Sequence, residues 1–154
     1  MPVRHLQLGL LAASLVLFGT SCPDNDPTSP DGSLVPGTWG GENVGMIIEE
    51  DVVHVHVGCT FGDFPAPITL DDDNRFSVTG SYVLRAYPVQ IGPSLPAQFA
   101  GVRRGREITF TVAVNDTVEK KLVVLGPSQV EFGKEPRMGP CPICVQGQRV
   151  KRKG

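Results

Sequence analysis

The sequence predicts an all-β domain, an antiparallel meander of about eight short strands closed into a small barrel, with a two-sheet β-sandwich as the alternative. Three observations carry this. Beyond the first 22 residues no apolar pattern at helical spacing lasts ten residues, whereas alternation with period two recurs along the chain. Fourteen prolines and eighteen glycines are scattered throughout, which breaks helices and marks turns. The alternating runs are short and follow one another through tight turns, so neighbours pair with neighbours, and a meander of this kind removes its exposed edges most simply by closing on itself.

In chain order, residues 1–22 come first. Arg4 and His5 give a basic start, residues 6–18 form an apolar run, and Gly19, Thr20 and Ser21 lead into Cys22. A run of thirteen residues is too short to span a bilayer core of about 30 Å, so the segment reads as a cleaved export signal over residues 1–21. The order basic, apolar, small, cysteine resembles the signal of bacterial lipoproteins, with Gly19 standing where that family usually has a leucine. The resemblance implies that Cys22 is the acylated first residue of the mature chain, a lipid-anchored protein of the bacterial cell envelope. Plain secretion, or a soluble periplasmic protein, is the alternative. Residues 22–36 are then the lipid-attachment cysteine and a flexible tether, since Pro, Asp, Asn, Ser, Thr and Gly bury too little to offset ordering entropy.

The barrel domain is expected over residues 37–144 and a basic disordered tail over residues 145–154. Trp39 begins the first strand. Residues 46–50 and 52–57 form a hairpin, with Val53, Val55 and Val57 on one face and His54 and His56 on the other. Residues 68–70 lead through the acidic turn Asp71, Asp72, Asp73, Asn74 into the alternating Phe76, Val78, Gly80, Tyr82 and Leu84. Asp and Asn bond their own backbone, which suits that stretch to a tight hairpin turn. Residues 88–96 are too rich in proline for a central strand and are expected to loop over one end of the sheet. Residues 97–102, 108–114, 119–125 and 129–132 complete the strands, the last two separated by Gly126, Pro127 and Ser128.

Gly37-Thr38-Trp39 at the start of a first strand resembles the opening motif of the calycins, the lipocalins and the streptavidin group. The resemblance implies a tryptophan that packs across one mouth of the barrel and a ligand held near that mouth. Trp39 is the single tryptophan, whereas the streptavidin group holds biotin with several, so biotin is not expected. By this analogy Trp39, Tyr82 and Tyr87 are the candidate ligand-binding residues.

An exported chain keeps its disulfides. With Cys22 acylated, Cys59, Cys141 and Cys144 remain. Cys59 continues the inward face of Val55 and Val57, and a bridge from Cys59 to Cys141, with Cys144 as the alternative partner, would staple the C-terminal segment onto the barrel. Cys141 and Cys144 are spaced like a redox pair, but no helix pattern follows to stabilise a thiolate. His54 and His56 share a face and are the weak candidates for a metal, with Cys141 and Cys144 able to complete a zinc-like set. Alternation with valines explains the histidines equally well as the polar face of a half-buried strand. The acidic turn lacks the glycine and distal glutamate of a calcium loop.

No nucleophile elbow, phosphate loop or metalloprotease histidine pair occurs, and no cofactor is implied. The formal charge of −2 hides an acidic domain and a basic end, Arg149, Lys151, Arg152 and Lys153, without the basic face and interleaved aromatics of a nucleic-acid binder. The expected function is non-catalytic binding of a small apolar or amphipathic ligand. The alternative is a structural or adaptor domain that binds an envelope protein through an outer face or a strand edge, and the third reading is a metal or thiol-redox protein.

Overall fold

The computed structural model describes residues 27–85 and 92–141. Eight strands, β1 Gly37–Gly41, β2 Val44–Ile48, β3 Val52–Val57, β4 Thr60–Pro65, β5 Arg75–Val83, β6 Leu95–Arg104, β7 Glu107–Asp116 and β8 Lys121–Phe132, pair antiparallel in sequence order. β8 returns to β1 through Trp39 opposite Phe132 and Gly40 opposite Glu131, and the meander closes as a barrel. One barrel end carries the start of β1 and the β2–β3 and β6–β7 turns. The opposite end carries the β1–β2, β3–β4 and β7–β8 turns.

Alternation puts Met46, Val53, Val55, Phe99, Val112 and Val114 inside, each nearly or fully buried. The centre is aromatic: Phe99 lies 5.0 Å from Phe64, 4.8 Å from Phe76 and 5.0 Å from Phe110 between ring centroids. Glycines make the room. A Cβ on Gly62 would come within 2.2 Å of the Tyr82 ring, one on Gly80 within 2.6 Å of the Phe64 ring, and one on Gly101 within 2.8 Å of Phe76. The Tyr82, Phe64 and Phe76 rings therefore each lie against a position with no side chain, which lets a narrow barrel hold six buried aromatic residues.

Several sequence expectations change, and Leu95 and Pro96, expected in the proline-rich loop, pair with Tyr82 and Ser81 as the start of β6. Residues 68–70 make an isolated bridge through Thr69 to Ser33, not a strand. The strand is β4, Thr-Phe-Gly-Asp-Phe-Pro, whose inward Gly62 and terminal Pro65 hide its alternation. The acidic turn accordingly starts β5 instead of joining two paired strands, with the Asp71 carboxylate accepting from the Asp73 and Arg75 amides and Asn74 at φ +58°. Gly126 and Pro127 bend one continuous strand, β8, opposite a register shift between Phe110 and Val112. Cys59 sits in the turn between β3 and β4, not on the inward face.

The stretch expected as a tether is described from Pro27 onward, and there it is packed. Leu34 is 1% exposed and Ile68 0%, and the Leu34 amide donates to the Ile68 carbonyl at 2.9 Å, so the two side chains plug the barrel end where β1 begins. The folded unit thus includes residues 27–36. One apolar side chain, Leu34, holds this polar stretch at the barrel mouth together with the backbone bonds Leu34 to Ile68 and Leu70 to Gly32.

Candidate functional site

The barrel interior offers no surface at the two candidate ligand residues that are described. Trp39 is fully buried, with its ring 5.0 Å from Phe132, and its indole Nε1 has no hydrogen-bond partner among the described residues. Tyr82 is also fully buried. Its hydroxyl lies 2.9 Å from the Thr60 hydroxyl, which itself donates to the Val57 carbonyl, and burial pushes the phenol pKa up to about 12. Tyr87 lies outside the described residues, as do residues 88–91 of the proline-rich loop.

The outer wall is where apolar surface remains. Leu122 and Val124 on β8 are 68% and 56% exposed, and Val118 in the β7–β8 turn is 59% exposed. The cross-strand partners of Leu122 and Val124 on β7 are Asn115 and Ala113, and a shallow depression of about 480 Å³ runs from Leu122 past Ala113 to Pro96. Among the described residues the first half of β8 pairs only with β7, because β1 meets β8 at Glu131 and Phe132 alone. Lys121 to Leu125 therefore form an edge, the part of a sheet most open to another chain. A charged cluster fixes its turn. Asp116, its side chain 1% exposed, accepts from Arg85 at 2.5 Å and from the Val118 and Glu119 amides at 3.0 and 3.1 Å. The Arg85 guanidinium holds the Asp116 carboxyl below the usual carboxylate range, and Lys121 followed by Arg85 does the same for Glu119.

After β8 the chain crosses the outside of β1 and β2 as a strap. Gly40 and Gly45, opposite each other in the ladder, form its bed: a Cβ on Gly40 would lie 2.2 Å from the Lys134 carbonyl, and one on Gly45 would lie 2.6 Å from the Pro136 ring. The Asn43 amide donates to the Arg137 carbonyl at 2.8 Å, and the Arg137 amide donates to the Gly41 carbonyl at 3.0 Å. The strap ends at a disulfide between Cys59 and Cys141, whose Cα atoms are 5.4 Å apart. This is the pairing expected from the sequence, and Cys144 lies outside the described residues. Cys22 and the export signal lie outside them too.

His54 and His56 stand on the outer face of β3. Their Nε2 atoms are 2.9 Å apart, and His54 Nδ1 is 2.5 Å from an Asp63 carboxylate oxygen. Asp63 is the direct cross-strand partner of His54, and Phe61 that of His56, with the Phe61 ring 5.7 and 5.6 Å from the two imidazoles. Burial, then the neighbouring His54, lowers the His56 pKa. Asp63 and Phe61 were missed in the sequence because β4 was. Among the described residues no three His, Cys, Asp or Glu side chains converge as metal ligands, so the zinc-like set of two histidines with Cys141 does not form; Cys141 is in the disulfide.

A further cleft, about 720 Å³, opens across β5, β6 and β7, with Phe76, Gly101 and Phe110 at its floor and Asp71, Arg75 and Pro127 at its rim. Compared with protein-family models, with curated proteins and with solved structures, the chain matches none.

Proposed function

We propose that this chain is an exported, lipid-anchored protein of the bacterial cell envelope whose barrel is a non-catalytic adaptor. Its partner is a protein whose extended segment adds to the β8 edge over Lys121 to Leu125. The observation that carries this reading is the contrast between a barrel filled by Trp39, Tyr82 and four phenylalanines and an edge strand that leaves Leu122 and Val124 in water. Among the described residues these buried rings leave no lumen beside Trp39 or Tyr82 for a carrier, whereas an edge strand supplies backbone groups for affinity and alternate side chains for specificity. The signal-like residues 1–22 support the address, and the Gly37-Thr38-Trp39 opening with the eight-strand meander supports kinship with the calycins. The non-catalytic reading draws support from His54, whose Nε2 faces another imidazole and not a nucleophile.

The test uses the full chain in cells of its source, with a photoreactive amino acid replacing Leu122 or, as the control, the exposed Asp72. A discrete protein adduct from position 122, absent from position 72 and lost with Val124→Lys, is expected; equal labelling at both positions overturns the proposal. A second reading, a small amphipathic ligand, draws on the cleft over Gly101, whose volume falls in the range of small-molecule sites. Native mass spectrometry of the purified chain separates the two, since a carried ligand adds several hundred daltons and an adaptor adds none.

A further inference from the structure

We propose that His54 and His56 form a two-imidazole site for a divalent ion of square-planar preference, Cu²⁺ before Zn²⁺, oriented by Asp63. An ionised carboxylate only accepts, so the 2.5 Å contact with Asp63 fixes the proton of neutral His54 on Nδ1 and leaves its Nε2 lone pair directed outward. That lone pair now accepts from His56 Nε2 at 2.9 Å. Two nitrogens bound at about 2.05 Å to one ion and at right angles to it stand about 2.9 Å apart, so the separation already matches a cis pair in a square plane. Binding asks for no net proton release: His56 moves its proton from Nε2 to Nδ1, and both rings turn until their Nε2 lone pairs meet at the ion. His54 then has the arrangement of metal-bound histidines in general, the distal ring nitrogen held by a carboxylate that fixes the tautomer and raises basicity.

Local structure supports this. Residues two apart on a strand share a face, and Asp63 lies directly opposite His54 in the β3–β4 ladder, so the backbone sets all three side chains. Phe61 lies beside both rings and lines one side of the pair. The His54 side chain is 36% exposed, which leaves the remaining ligand positions to water or to a donor from outside the domain. Imidazole pairs with a water-accessible plane favour Cu²⁺ over Zn²⁺ by the ordinary order of divalent affinities.

The experiment titrates CuSO₄ into the full chain in detergent, in a Cys144→Ser, His5→Ala background, and reads electron paramagnetic resonance. One tightly held Cu²⁺ with the splitting of two imidazole nitrogens is expected. His54→Ala or His56→Ala should abolish that splitting while the thermal unfolding profile stays intact, since both side chains lie outside the core. Asp63→Asn should keep the two-nitrogen signature and weaken affinity about 10- to 100-fold. Absence of stoichiometric binding at 100 µM Cu²⁺, a signal with one imidazole nitrogen, or a signal indifferent to His54 and His56 would overturn the site.

Discussion

Opening the Cys59–Cys141 bridge tests how the strap holds the barrel. The two cysteines are 82 residues apart, and closing a loop of that length removes about 15 cal/mol/K from the unfolded chain, or about 4.5 kcal/mol at 25 °C in the chain-entropy account. With an unfolding entropy of about 2.1 cal/mol/K per residue, a folded unit of roughly 110 residues loses about 4 °C of melting temperature per kcal/mol. The full entropic loss is thus about 18 °C. The strap keeps its hydrogen bonds to Asn43 and Gly41 after the bridge opens, so the barrel itself stays assembled. Melting of the full chain by circular dichroism should fall by about 10 to 20 °C in Cys59→Ser, in Cys141→Ser and equally in the double variant, and Cys144→Ser should change nothing. A fall below about 3 °C in the double variant would refute the argument that the bridge restrains the unfolded chain. A fall of full size in Cys144→Ser alone would reassign the pairing.

Other outcomes follow from the core and the charged cluster. Phe99→Ala removes the ring that contacts three other phenylalanines and should cost about 3–5 kcal/mol in denaturant unfolding. Gly45→Val places carbon where the Pro136 ring lies and should lift the strap, read as faster hydrogen exchange of the Asn43 amide with little change at Phe99. Asp116 titrates lower in the folded chain than its ordinary carboxylate value, so its contribution to stability is present above about pH 4 and is lost as pH falls through the folded value. Asp116→Asn should therefore lower stability at pH 7 and flatten the acid limb of the stability profile. Tyr82 titrates the other way: with its pKa raised to about 12, the stability it adds is complete below pH 10 and lost as pH rises to about 12, which ultraviolet titration would register as one phenol ionising late.

The barrel was legible because valines and phenylalanines at every second position require a one-sided strand, and consecutive hairpins leave few ways to pair. The disulfide was legible as well, since Cys141 follows the final strand and has one distant thiol to reach. β4 was not legible. Its inward positions are Gly62 and Phe64, and the glycine is empty only because Tyr82 occupies that space from the next strand, a fact of register that no local pattern carries. With β4 went Asp63 and Phe61, hence the environment of both histidines. Whether the barrel was hollow was hidden for the same reason, because the match of rings to glycines exists only across strands. Gly126-Pro127 read as a turn since these residues usually make one, yet here they bend a strand that stays paired on both sides of the bend.

The plug of Leu34 and Ile68 gives the molecule a direction. The chain enters the barrel at the plugged end, while the Asp116 cluster, Val118, Leu122 and the disulfide turn gather toward the far end. Residues 27–36 are bound at this pole, so the chain upstream of Pro27 joins the barrel there. The two poles are thus unlike, one closed by Leu34 and Ile68 and the other presenting Val118, Leu122 and Val124 to solvent.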